Sequence, residues 1–383
     1  MMIRLKKAMA LGISAVLAMV SMAGCGSESG NGSGKGEVFK VGTANASLCL
    51  AGLHMAQDKG YFDEEFKAAG IEYELVEIDV QQTADLVASG KIDACVGLAG
   101  GLIPQIDNGL DISFVLGMHT GCTKYYAPAD SDIKKIEDVK GKRIGVPGIS
   151  DSSVIALKRK LFSLGIGVSP DNMEIELVPY NLPDLPLALA NGAVDAIALH
   201  DPVATAAEQE YGFTKILDTT EDELFNDEYC CAAFVTNEAA KKNPEASAAY
   251  TRALLKGCAF VQAHPDEAVK LQIENGHCSG DPDNNTKILS SFNYQPSVSK
   301  MKTTFRNTCD DLSVIGDLKT TRDLNQFTAD HFADFDKVPD SYIYNEDGSF
   351  TEADSNESSV HAAEVRHDLK LDVKNKEMPS CCG

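Results

Sequence analysis

From residue 38 onward, short apolar runs alternate with segments whose apolar positions recur every three or four residues. Val38-Phe39-Lys40-Val41-Gly42 reads as a short strand, and 48–59 as a helix with Leu50, Leu53 and Ala56 on one face. Residues 71–78 alternate as a strand. A helix over 82–89 stops at Gly90, and 94–98 and 112–117 read as buried strands. A second series begins near Lys124. Strands are predicted at 142–146, 174–178, 194–199 and 214–217, and helices at 152–164, 185–190 and 202–211. In 152–164, Val154, Leu157, Leu161 and Leu164 share a helical phase. Strand and helix in turn predict an α/β fold with a largely parallel sheet.

One motif links the two series. Gly90-Lys91-Ile92-Asp93-Ala94-Cys95-Val96 recurs as Gly192-Ala193-Val194-Asp195-Ala196-Ile197-Ala198. Each copy follows a helix rich in Ala and Leu, and each glycine suits the left-handed position that ends a helix. Two halves of similar construction are expected. Residues 229–236 are apolar and read as a strand returning to the first half. Beyond them the chain turns helical, with a helix from Pro244 to about 263, a break at His264-Pro265-Asp266 and a last amphipathic helix over 321–335. Residues 338–383 are polar and acidic and read as a loosely ordered tail.

The N-terminus is of a different kind. Arg4, Lys6 and Lys7 precede an apolar run over 8–20, then Ser21-Met22-Ala23-Gly24-Cys25. This is the layout of an export signal, too short and wrongly flanked for a spanning helix. Met22-Ala23-Gly24-Cys25 resembles a bacterial lipobox, which implies a signal over 1–24 and lipid on Cys25. Residues 26–36, mostly Gly and Ser, suit a flexible tether.

The chain carries 57 acidic against 34 basic residues, a net charge of −23. That charge repels nucleic acid and anionic lipid heads. Export also argues against cytosolic chemistry. Of the eleven cysteines, ten remain if Cys25 is lipidated. Their spacing shows no compact disulfide framework, and Cys95 and Cys258 read as small buried hydrophobes.

The residues Lys59-Gly60-Tyr61-Phe62, the two glycine-aspartate motifs and Ile136-Glu137-Asp138-Val139-Lys140-Gly141-Lys142-Arg143-Ile144-Gly145-Val146 carry a family likeness. Over residues 37–335 the chain resembles the substrate-binding proteins of ABC importers of the nitrate, sulfonate and taurine type, which overlap with the thiamine-pyrimidine-binding group. The resemblance implies an α/β, two-lobed periplasmic-binding-protein fold of type II with a hinged ligand cleft. It puts 37–121 and 228–337 in lobe 1 and 122–227 in lobe 2. It also implies a non-enzymatic, cofactor-free, lipid-anchored receptor outside the membrane. Its partners would be a small polar solute, a permease and an ATPase, not nucleic acid.

Ligands of such sheets lie beyond the carboxyl ends of the strands. The corresponding loops hold Asn45, Ser47, Gly100, His119, Ser150, Ser152, Ser153, His200 and Asp201 as candidate ligand-binding residues. Ser150, Ser152 or Ser153 at a helix start could hold an anion or simply cap the helix, and Asp151 between them opposes an anion. His119, Cys122, Cys230 and Cys231, with Cys49 at the first helix, form a second signal. Imidazole and thiolate suit a soft metal or a metal chelate, an alternative function. A further alternative is a thiamine-pyrimidine-synthase-like enzyme, whose cysteine-rich segment Cys230-Cys231 matches in part.

Overall fold

The computed structural model describes residues 38–44, 47–79, 82–318 and 323–353. Cys25, where lipidation is expected, the expected tether over 26–36, Asn45 and the Cys381-Cys382 end lie outside them.

The first half opens with β1 (Phe39–Thr43), α1 (Ala51–Asp58), α2 (Tyr61–Ala69) and β2 (Tyr73–Glu77). It continues with α3 (Thr83–Ala88), β3 (Ala94–Leu98), α4 (Ala99–Asp107) and β4 (Ile112–Thr120). The second half holds β5 (Thr123–Ala127), β6 (Arg143–Val146), α5 (Ser152–Ser163), the short pair β7 (Val168–Ser169) and β8 (Asn172–Met173), and β9 (Glu176–Pro179). It ends with α6 (Leu185–Ala190), β10 (Ala196–His200), α7 (Val203–Tyr211) and β11 (Thr214–Asp218). The chain then returns through β12 (Tyr229–Thr236).

Two five-stranded sheets result, ordered β2-β1-β3-β12-β4 and β11-β5-β10-β6-β9. The returning β12 runs antiparallel to both β3 and β4. Every residue of β4 is buried, as expected of a strand covered on both faces. The chain passes between the sheets at Gly121-Cys122 and again over residues 219–228. The two passages touch: Thr219 donates its backbone N–H to the Thr123 carbonyl at 3.0 Å, and Thr123 N–H donates to Thr219 Oγ1 at 3.2 Å. Cys122 sits there at φ 83°, a left-handed conformation uncommon for a side-chain-bearing residue.

The glycine-aspartate motif performs one structural task twice. Gly90 and Gly192 take φ 64° and 70° and end their helices. Asp93 then accepts the backbone N–H of Lys40 at 2.8 Å, and Asp195 that of Arg143 at 2.8 Å. Each aspartate thereby fixes the start of the neighbouring strand.

The helical region beyond β12 consists of α8 (Asn237–Lys242), α9 (Pro244–Ala263), α10 (Pro265–Glu274), α11 (Pro282–Ser291), α12 (Val298–Ile315) and α13 (Leu324–Asp330). Two expectations change. The last helix is shorter than 321–335, because Asp323 caps it at its start. The supposed tail is structured at least to residue 353, where β13 (Ser341–Tyr344) and β14 (Phe350–Ala353) form a hairpin. Phe350 meets Tyr61 edge-on at 5.3 Å, and Tyr344 meets Phe260 edge-on at 5.4 Å. Aromatic contact outweighs the acidic composition there.

Candidate functional site

The start of α5 packs against α4 from the other half. A Cβ added to Gly101 would lie 3.0 Å from the Ser150 carbonyl oxygen, so the halves meet almost backbone to backbone. Behind this contact is a cavity of about 60 Å³, lined among others by Gly100, Thr123, Ser152, Arg159, Glu228 and Cys230. It has room for roughly four to six water-sized groups.

Ser152, Ile155, Ala156 and Arg159 reach this cavity from one face of α5, at the helical spacing of three, four and seven. That spacing is the signal by which Arg159 could have been read from sequence, where it stands between Lys158 and Lys160 and looks like part of a solvated charge run. Arg159 is buried. Its Nε donates to Asp311 at 2.8 Å and its Nη1 to Glu228 at 2.6 Å. Burial opposes its charge, but the two carboxylates outweigh that and keep it protonated. The Ser152 hydroxyl is buried and makes no hydrogen bond among the described residues.

Asp151 resolves the choice at the helix start in favour of capping. Its Oδ1 accepts from Ser153 N at 2.8 Å, Ser153 Oγ at 2.6 Å and His200 Nε2 at 2.8 Å. The amide end of α5 thus already holds an anion, the protein's own carboxylate. Burial would raise the Asp151 pKa, but His200 and the Ser153 bonds bring it down to about 2. Burial would likewise lower that of His200, and Asp151 lifts it well above the ordinary range. Both are charged, and His200 Nδ1 is occupied by Thr123 Oγ1 at 3.1 Å. Ser153 and His200 are therefore committed to each other through Asp151, and Ser150 is exposed.

Asp201 requires a similar correction. It is buried, accepts from Thr205 N at 2.9 Å and Thr205 Oγ1 at 2.7 Å, and pairs with Lys124 Nζ at 2.6 Å. It anchors the start of α7 through Oδ1 and holds Lys124 through Oδ2.

The remaining candidates converge at the carboxyl end of the first sheet. His119, on β4, faces Cys231 across the ladder to β12. Cys49 arrives on the 3₁₀ turn Leu48–Leu50. One ligand atom from each of Cys49, His119 and Cys231 lies within 4.8 Å of the other two. His119 is fully buried, stacked on Phe292 at 5.1 Å between centroids and tilted against Tyr294 at 4.7 Å. Its Nδ1 lies 3.0 Å from the Thr120 carbonyl, while Nε2 makes no regular hydrogen bond. Burial works against a charge on His119, but the Cys49 and Cys122 thiols beside it raise its pKa.

Ser47 Oγ lies 3.0 Å from Cys49 Sγ, and Tyr294 OH donates to the Cys49 carbonyl at 2.6 Å. Cys122, in the first passage, and Cys230, at the start of β12, bring their sulfurs to 2.9 Å. The thiols share protons: hydrogen bonds from Cys122 and Cys231 lower the Cys230 pKa to about 6, and the same contacts raise that of Cys231. The sequence named His119, Cys122, Cys230 and Cys231, with Cys49, as a metal-suited set. The structure brings Cys49, His119 and Cys231 together and leaves all three outside the cavity lining.

The sequence profile of NMT1/THI5-like proteins matches residues 49–268, which contain Cys49, His119, Cys231, the α4–α5 contact and both passages. The chain belongs to the NMT1/THI5-like family. A putative thiamine biosynthesis protein of Haemophilus influenzae is 28% identical to this NMT1/THI5-like chain over 231 residues, 57% of the chain and 67% of the relative. A putative aliphatic sulfonates-binding protein of Bacillus subtilis is 22% identical over 264 residues, covering 65% and 73%.

Among solved structures, the periplasmic nitrate-binding protein of Synechocystis superposes with a TM-score of 0.65 at 12% identity, covering 89% of this chain and 98% of that one. The alkanesulfonate-binding protein of Xanthomonas axonopodis, bound to MOPS, superposes with a TM-score of 0.62 at 16% identity, covering 77% and 99%. The two-lobed α/β fold of periplasmic binding proteins, expected from the sequence motifs, is thus the fold observed.

Proposed function

We propose that the chain is the extracytoplasmic solute-binding component of an ABC importer. In this reading it is tethered to the membrane through lipid on Cys25. It captures a small polar solute of the nitrate, sulfonate, taurine or thiamine-pyrimidine kind and delivers it to a permease and its ATPase. It is a receptor and not an enzyme. The observation that carries the reading is the partly open cavity between α4 and α5, walled by Gly100 of α4, Ser152 and Arg159 of α5 and Glu228 of the second passage. A receptor that closes on its solute needs such a space, with polar groups supplied from both sides.

The wall favours a solute that both donates and accepts hydrogen bonds. Arg159 and Glu228 offer opposite charges, and the free Ser152 hydroxyl offers either role. A taurine-like zwitterion or an aminopyrimidine meets that demand better than a bare anion. The test is thermal stabilisation by a panel of taurine, an alkanesulfonate, nitrate and the thiamine aminopyrimidine. One member should stabilise the chain, and Ser152→Ala should weaken its binding about tenfold, the value of roughly one hydrogen bond. Unchanged binding by Ser152→Ala would remove the cavity from the account. The anchor has its own test: Cys25→Ser should release the protein from the membrane, and a variant still retained there would contradict lipidation of Cys25.

A further inference from the structure

The Cys49, His119 and Cys231 cluster is not needed to explain solute capture. None of the three lines the cavity proposed for the solute. Yet the cluster is built like a site. It joins three separate segments: the turn after β1, the end of β4 and the start of β12. Its histidine is fully buried, and among the described residues its Nε2 atom makes no hydrogen bond of regular geometry; the thiol of Cys49 is its neighbour. A buried polar atom without a partner is destabilising unless something satisfies it.

The surroundings orient the set from outside. His119 Nδ1 faces the Thr120 carbonyl at 3.0 Å, which directs the Nε2 lone pair toward the sulfurs. A histidine that binds a metal through one nitrogen usually spends its other N–H on such an acceptor. Tyr294 fixes the backbone of Cys49, and Ser47 lies against its sulfur. Phe292 and Tyr294 hold the imidazole plane.

We propose that Cys49, His119 and Cys231 form a binding site for a thiophilic divalent cation of the zinc class. On binding, each thiol transfers its proton to water and each sulfur donates a lone pair to the ion, as does His119 Nε2. No electron changes hands. Two thiolates and a neutral imidazole exactly balance a divalent charge, whereas a monovalent copper ion would leave a net negative charge in a buried place, which is costly. In a tetrahedral zinc site, ligand atoms stand about 3.5–3.8 Å apart. The present separations, within 4.8 Å, need to contract by at most about 1.3 Å. The fourth position is open in this set, and the Cys122 thiol is near enough to interact with both Cys49 and Cys231.

The test uses the reduced mature chain and two probes, Zn(II) titrated against a chromogenic chelator and Co(II) as a spectroscopic stand-in. The expected result is about one ion per chain, with near-ultraviolet sulfur-to-cobalt charge transfer and the intense visible bands of a tetrahedral site. Cys49→Ser and Cys231→Ser should each weaken binding by about a hundredfold or more, and Cys278→Ser should leave it unchanged. Circular dichroism identifies any variant that fails to fold. X-ray absorption of the zinc-loaded wild type then decides independently, with at least two sulfurs and one imidazole nitrogen expected. Equal affinity in folded Cys49→Ser and wild type, or no stoichiometric metal in the reduced wild type, would overturn the site. So would a zinc shell made only of oxygen and nitrogen. Because Ser152 and Arg159 are outside the set, solute binding survives or fails separately.

Discussion

His54 has no contact with water, and its two nitrogens are both engaged. Nε2 donates to the Ala44 carbonyl at 2.9 Å, and Nδ1 lies 2.7 Å from Gln272 Nε2. The ring stacks on His277 at 4.2 Å. Burial lowers its pKa to about 4. The unfolded chain takes up a proton near the ordinary value of about 6.5, and the folded chain does so only near 4. Stability from this group is therefore complete above 6.5 and drains away as pH falls toward 4. Between pH 7.5 and 4.5 the loss from His54 is about 2–3 kcal/mol. Urea unfolding at both pH values measures it: His54→Gln should lose less stability than wild type over that interval, and an equal loss would contradict the assignment.

Single residues also mark the limit of what the sequence tells. Asp151 and Asp201 were legible as residues at the carboxyl ends of strands, where ligands bind. The same positions start helices, and a carboxylate that caps a helix and pairs with His200 or Lys124 looks identical in sequence to one that meets a solute. Cys49 and Cys231 lie 182 positions apart along the chain, and only the fold brings them to His119.

Among the elements, α4 and α5 set how closely the halves approach. Lys158 of α5 pairs with Asp317 at 2.8 Å, and Arg159 with Asp311 of α12, so ion pairs also cross from α5 to the first-sheet side. Gly101 has no room for a side chain on its Ser150 face. Gly101→Leu should wedge the contact while helix propensity rises by about 1 kcal/mol. Small-angle scattering should give a larger radius of gyration for the variant at unchanged or higher α4 helicity. An unaltered radius would mean that this contact does not limit closure.

The β13–β14 hairpin yields a second prediction at this scale. Phe350→Ala should cost about 1–2 kcal/mol in unfolding, since the ring is half-buried against Tyr61 and Tyr344. No measurable change would mean that the hairpin does not pack in solution. The hairpin was readable: Tyr342, Tyr344 and Phe350 flank the turn residues Asn345-Glu346-Asp347-Gly348. Its acidic setting masked that alternation. The strand and helix order elsewhere was legible because buried parallel strands and amphipathic helices have different periods.

For the whole molecule, two sheets are joined by passages at Gly121-Cys122 and over residues 219–228, where the proposed receptor would hinge. The glycine-aspartate motif told of two similar halves, and it proves to be a device for seating strands. The cavity could not be read in advance, because its wall is drawn from α4, α5, the passages and α12 together. The central claim is that the halves close around a small polar solute between α4 and α5. Isothermal titration calorimetry of the mature chain with taurine, an alkanesulfonate, nitrate and the thiamine aminopyrimidine tests it most directly, with Gly101→Leu measured in parallel. The account predicts that one of them binds the wild type at one per chain and binds Gly101→Leu at least tenfold more weakly, about 1.4 kcal/mol. No binding by any of the four, or equal affinity in the two proteins, would contradict it.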